Sequence, residues 1–203
     1  MNTKWKRLVL ASLFASALIP VVAQNSSTQA VGIDPALLTK ANAGDAASQV
    51  LVGDSYAAGG GQSRNPKQLA EDYRQAAEWY RKAAEKGDIA GEMRLAALYR
   101  DGRGVERDMA QAAEWYRKAA EQGDADAQAT LGVLYSLGQG VPHSDVEAYY
   151  WLDLAAAVNG PKQAQYAANR QMIGIHITAD ELAEIQDREA AWKAAHLRPG
   201  AAR

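Results

Sequence analysis

The sequence predicts an all-α solenoid built from stacked helical pairs, and three observations carry that expectation. Ala76-Ala77-Glu78-Trp79-Tyr80-Arg81-Lys82-Ala83-Ala84-Glu85-Lys86-Gly87-Asp88 returns as Ala112 to Asp124, 36 residues on, with only Lys86 changed, to Gln122. A more diverged copy puts Trp151 another 36 residues on and ends at Asn159-Gly160. Within a copy, Leu95, Leu98 and Tyr99, repeated as Leu131, Leu134 and Tyr135, fall at the i, i+3, i+4 spacing of one helical stripe. Periods of this length belong to architectures in which each unit covers the apolar face of its neighbour.

The chain opens with Lys4, Lys6 and Arg7, then an apolar run of 15 residues from Leu8 to Val22, then the small-residue pattern Val21-Val22-Ala23. Residues 1–23 therefore read as a secretory signal peptide, with the mature chain starting near Gln24. A membrane anchor would need about 20 apolar residues; this run is shorter and contains Pro20, and no cysteine is present to carry a lipid. Without the leader, 19 Lys and Arg face 24 Asp and Glu, a formal charge of −5. A nucleic-acid or anionic-membrane partner calls for a basic stripe, and here the charges are interspersed. The zero cysteine count also leaves packing, without disulfides, to hold an exported fold together.

Gln24 to Val31 is polar, and residues 24–33 are expected to form a disordered linker. Residues 34–45 follow as half a repeat: Asp34 can cap a helix, Pro35 suits its first turn, and Gly44-Asp45 repeats the punctuation of the longer copies. The full copies are assigned to residues 46–88, 89–124 and 125–160. In each, a first helix (Ile89 to Arg100 in the second copy) is stopped by a Gly-x-Gly-Val loop. A second helix (roughly Asp108 to Gln122) then ends in Gly-Asp, where Gly87 or Gly123 closes one helix and Asp88 or Asp124 caps the next. Gly53, Ala96 and Gly132 share one register that is always small, which lets two helices approach closely.

On the second helices, Glu78 with Lys82, Arg81 with Glu85, Glu114 with Lys118 and Arg117 with Glu121 are i, i+4 pairs expected on a solvated face. Trp79, Trp115 and Trp151, in one register, are expected in the core. The first copy is longer by seven residues between Tyr56 and Trp79, read as an enlarged loop from Gly59 to Arg74 with a helical extension over Lys67 to Arg74. Its glycines lack the Gly-Lys-Ser/Thr of a phosphate loop. Residues 161–203 should cap the stack with a helix from about Lys162 to Met172. A capping box at Thr178-Ala179-Asp180-Glu181 then opens a last helix through Trp192, with Leu182, Ile185 and Trp192 facing the repeats.

The residues Ala127, Gln128, Leu131, Gly132, Leu134, Tyr135, Gly138, Gly140, Val141, Ala148, Trp151, Ala155 and Ala156 together resemble the Sel1-like repeat, a relative of the tetratricopeptide repeat. The resemblance runs from about Ala46 to Gly160. It implies a right-handed α-solenoid that serves as a protein-interaction scaffold, often in bacterial periplasms and signalling pathways.

Core and turn positions being set by the fold, specificity is expected where the copies differ along the first helices. Those positions are Leu51, Arg94 and Thr130 in one register, Asp54, Ala97 and Val133 in a second, and Ala57, Arg100 and Ser136 in a third. The expected activity is binding of a protein or peptide without catalysis or cofactor, with no nucleic acid and, once the leader is removed, no membrane. His143, His176 and His196 show no His-x-x-x-His or His-Glu-x-x-His spacing and read as surface residues without a metal. No Gly-x-Ser-x-Gly elbow is present and a cysteine nucleophile is impossible. Two other readings compete: a structural cell-wall or envelope-complex component, and an envelope hydrolase of β-lactamase type. The second follows from resemblance to secreted Sel1-like proteins whose paired cysteines this chain lacks.

Overall fold

A computed structural model describes residues 32–62 and 65–196. The expected signal peptide, the linker up to Val31, Ser63 and Arg64 of the expected loop, and residues 197–203 lie outside the described residues. The described residues form nine helices and no strand. These are α1 (Pro35–Asn42), α2 (Ala46–Gln62), α3 (Pro66–Ala84), α4 (Ile89–Asp101), α5 (Met109–Glu121), α6 (Ala125–Leu137), α7 (Asp145–Ala157), α8 (Gln163–Gly174) and α9 (Ala179–His196). Each packs on the next up to α8, and first helices also touch one another, α2 beside α4 and α6 beside α8.

The punctuation works as its chemistry requires. The carboxylates of Asp88 and Asp124 accept from the backbone N–H of Gly91 and Ala127, each at 2.8 Å, filling orphan donors at two helix starts. Gly102 and Gly138 end α4 and α6 with φ of 67° and 62°, the left-handed conformation that favours glycine. At Thr178 the capping box closes in both directions: Glu181 accepts from the Thr178 N–H at 2.8 Å and the Thr178 hydroxyl accepts from the Glu181 N–H at 3.3 Å.

The small register explains how each pair closes. A methyl group on Gly53 would stand 2.5 Å from the Tyr80 ring, and one on Gly132 would stand 2.7 Å from Cγ of Leu152. The second helix thus lays a large side chain directly on the first helix's backbone. Around these seams Leu95, Leu131, Ala76, Ala83, Ala112, Ala119, Ala148 and Ala155 are fully buried, a full side chain of leucine size contributing roughly 1.5–3 kcal/mol. Trp79 and Trp151 are buried and Trp115 half-buried, inside the core as their register implies.

Two expectations are corrected. The expected helical extension over Lys67 to Arg74 is present as the front of α3, but Gly59 to Gln62 belong to α2 rather than to an enlarged loop: α2 and α3 have 17 and 19 residues, against 13 in each of α4 to α7. Asn65 caps α3 by accepting from the Lys67 N–H at 3.0 Å, and Pro66 preorganises the first turn. Helix glycines cost only about 1 kcal/mol each, so Gly59 and its neighbours do not stop α2.

The charged face of the second helices also pairs differently. Lys118 and Glu114 do meet, at 3.5 Å. Glu78, however, binds Arg74 at 2.7 Å, while Lys82 lies 3.9 Å over the Trp79 ring. Arg81 and Arg117 donate to the hydroxyls of Tyr99 and Tyr135, both at 2.8 Å. These arginines tie each copy to the following one. In the third copy the register holds Asp153, and the link is kept with its charge reversed, Arg170 of α8 donating to Asp153.

Candidate functional site

The candidate residues lie along the first helices α2, α4 and α6 in an order set by their registers. Asp54 and Arg94, 40 residues apart, meet there: Arg94 Nε donates to Asp54 Oδ1 at 2.8 Å, and the Tyr80 hydroxyl donates to the same oxygen at 2.7 Å. One carboxylate therefore joins α2, α3 and α4. Burial pushes the Asp54 carboxyl up, but the hydrogen bonds from Arg94 and Tyr80 and the Arg94 charge outweigh it, leaving its pKa below the usual value. Burial and the Asp54 acceptor push the Tyr80 phenol well above its ordinary range. Half-exposed ion pairs contribute less than about 1 kcal/mol. Arg94→Ala is accordingly expected to move the melting temperature by no more than about 4 °C, measured by circular dichroism, which makes it a usable probe of binding.

Arg100 turns instead to its neighbour, donating to Asp101 at 2.7 Å and reaching the Tyr116 hydroxyl at 3.4 Å. Leu51 is 53% exposed. Ala57, Ala97 and Val133 are half-buried. Thr130 and Ser136 spend their hydroxyl protons on their own helix, on the carbonyls of Asp126 at 2.7 Å and Val133 at 2.9 Å. The face is thus charged across copies one and two and nearly neutral at copy three. At its far end, Lys162 donates to Asp126 at 2.8 Å and Tyr166 donates to the same carboxylate. These three border a cavity of about 260 Å³ together with Asp124, Asn159 and Pro161.

The arrangement offers fixed hydrogen-bonding groups, among them two phenols that donate to carboxylates, Tyr80 to Asp54 and Tyr166 to Asp126. Two histidines come together in a way their spacing did not suggest. His143 Nε2 lies 3.4 Å from Asp145 Oδ1, and His176 Nδ1 lies 3.1 Å from Asp145 Oδ2. Both rings remain exposed, and among the described residues no three His, Asp or Glu side chains are placed to hold a metal ion. His196 stacks on Trp192 with ring centroids 4.0 Å apart.

Sequence reasoning missed Glu92. It is 2% exposed in the register where the other copies carry Gln49 and Gln128, whose side-chain amides donate to the carbonyls of Ala41 at 3.0 Å and Ala120 at 3.1 Å. The Gln-Glu-Gln succession was the available signal. Tyr80 and Tyr116 bring their hydroxyls into the polar network of the first helices, beside Asp54 and Arg100.

The family model of the Sel1 repeat matches residues 46–88, 89–124 and 125–159. The chain belongs to the Sel1-repeat family. No curated protein matches it. Among solved structures, this Sel1-repeat chain is similar to c5321, described as a protective antigen present in uropathogenic Escherichia coli strains displaying an SLR fold. The two share 33% identity with a TM-score of 0.65 over 78% of this chain. The match spans 32% of the E. coli protein, so this chain corresponds to about a third of it. A Sel1 repeat protein from Oxalobacter formigenes is 35% identical with a TM-score of 0.54, the match covering 67% of this chain and 97% of that one. Sel1-repeat proteins are in general scaffolds for protein–protein interaction.

Proposed function

We propose that this Sel1-repeat protein is an exported, non-enzymatic scaffold that holds a peptide or protein segment against the face of its first helices. The observation that carries the reading is the placement of Asp54, Arg94 and Arg100. They vary between copies, the two arginines exposed and Asp54 half-buried, yet they are fixed in position by Tyr80, Asp101 and Tyr116. Preorganised polar groups beside an exposed Leu51 suit an extended segment, which takes register from hydrogen bonds and affinity from an apolar anchor. Three repeats make a short surface, so micromolar affinity is expected, on the order of −8 kcal/mol. Export rests on the pattern of residues 1–23, and the periplasm is the proposed compartment. Among the described residues no helix is long and apolar enough to cross a membrane.

Crosslinking in the native host followed by mass spectrometry tests both halves of the proposal. Crosslinks from one partner should map to α2, α4 and α6 and be lost at least tenfold in an Arg94→Ala/Arg100→Ala variant that still melts normally. The recovered chain should begin near Gln24. Crosslinks confined to the second helices, or unaffected by the variant, would overturn the binding face. A chain recovered from the cytoplasm would overturn export.

A further inference from the structure

We propose that the two ends of this stack are complementary halves of one repeat, so that α1 of one copy of the chain docks on α8 of a second copy. In the first and third copies the second helix sets a large side chain on the small register of the first, Tyr80 on Gly53 and Leu152 on Gly132, and in the second Tyr116 shares a core cluster with Ala96. The same register, 36 residues beyond Gly132, is Ala168 on α8, and Gly174 and Ile177 continue the loop pattern of Gly138 and Val141 at the same offset. The helix α8 is therefore a first helix by register. Counting back from Tyr80 by the 43 residues that separate Asp88 from Asp45 gives Leu37 on α1, which is a second helix by the same measure.

Among the described residues neither half has its mate. The helix after α8 does not take the second-helix place: α9 packs on α7 instead. Ile185 is fully buried beside Tyr150, Trp151 and Leu154, and the Trp192 ring lies against the Gly123 turn. Along α8 this leaves a groove of about 640 Å³ lined by Tyr149, Ala164, Ala168, Gln171 and Ile175. Ile175 is 79% exposed and Met172 beside it 64%. At the other end α1 packs chiefly on α2, and Leu37, in the register where Tyr80 is fully buried, is only half-buried against the core of the first copy.

The occupant that fits is the opposite end of another copy, because it continues an interface the chain already makes three times over. In that pose Leu37 would rest on Ala168 as Leu152 rests on Gly132. The contact is head-to-tail, so each copy keeps one free end of each kind and the assembly grows as an open chain. One short helix buries well under the roughly 800 Å² per partner of a stable complex, so association should be weak and concentration-dependent.

Sedimentation velocity on the purified protein from about 10 µM to about 1 mM, the range of a weak contact, should show the weight-average mass rising without a plateau. Ala168→Glu should abolish the rise, and so should Leu37→Glu. An equimolar mixture of the two variants should form a heterodimer and nothing larger, since each supplies the end the other lacks. Because the chain has no cysteine, a second measurement remains if Leu37→Glu unfolds. Ala168→Cys mixed with Leu37→Cys should give a mixed disulfide under mild oxidation at least tenfold faster than either variant couples to itself. A monomer throughout the range, a rise unchanged by Ala168→Glu, or cysteine coupling without preference for the mixed pair would each overturn the proposal.

Discussion

Glu92→Gln is expected to stabilise the protein by about 2–3 kcal/mol near pH 8 and to change little near pH 5. In the first and third copies this register holds glutamine, whose amide donates to the carbonyl of the residue eight positions earlier. The matching carbonyl in the second copy is Ala84, and a carboxylate has no proton to offer it. Burial pushes the Glu92 carboxyl up to about 7; Lys118 and the Gln122 amide, donating at 2.8 Å, pull it down, and Asp88 and Glu121 add to the rise. The folded state therefore binds the proton more tightly than the unfolded chain, with its ordinary glutamate value of 4.5. Stability supplied by that proton is complete below the unfolded value and is lost as pH rises towards 7. Glu189, buried against Asp153 and also pushed up to about 7, acts in the same direction. The wild-type protein should thus melt at a lower temperature near pH 8 than near pH 5. Glu92→Gln should recover roughly 5–10 °C of the difference, Glu189 accounting for the rest. In thermal melts followed by circular dichroism, an equal effect of the substitution at both pH values would show that the carboxyl carries no buried charge.

The helices and their stacking were legible because both leave local signals. A stripe at i, i+3, i+4 and a Gly-Asp turn are decided within a few residues, and the register of Gly53, Ala96 and Gly132 records a close approach that only small side chains permit. Glycine outside such a turn misled: in Gly59-Gly60-Gly61 it reads as a break, yet α2 runs on to Gln62 and Asn65 starts α3 early. Side-chain partners were the least legible. Arg81 has a glutamate one turn away but donates to Tyr99, because stacking puts a buried-side hydroxyl closer than the solvated acid. The repetition of this link as Arg117 to Tyr135 was readable only by comparing copies. The registers choose positions along the first helices, but they do not tell that Asp54 and Arg94 pair across 40 residues, and Asp126 and Tyr166 likewise. Such partners are fixed by where one copy rests on the next, which no local spacing encodes.

Gly140→Ala is expected to be far more damaging than Gly87→Ala, although both add one methyl group at a positive φ, 72° and 77° respectively. The left-handed conformation costs an alanine about 1–2 kcal/mol in either place. At Gly87 nothing lies within 4 Å, so that cost stands alone. At Gly140 the new methyl would be 2.0 Å from the Met109 carbonyl oxygen and 2.8 Å from the Ala110 nitrogen, both backbone atoms of the first turn of α5. Neither can turn aside as a flexible side chain would, so the loop after α6 must lift off the preceding copy, adding roughly 1–3 kcal/mol or more. The same contact recurs one copy earlier, where a methyl on Gly104 would stand 2.2 Å from the Tyr73 carbonyl carbon. These glycines are thus where each copy seats on the last, and in a linear stack the neighbour interface sets cooperativity as well as stability. Gly140→Ala should lower the melting temperature by about 8 °C or more and broaden or split the transition, as the third copy uncouples from the second. Gly87→Ala should lower it by roughly 2–6 °C with the transition still single. Equal losses at the two positions would mean that the loops yield freely and that the copies are joined by their helices alone.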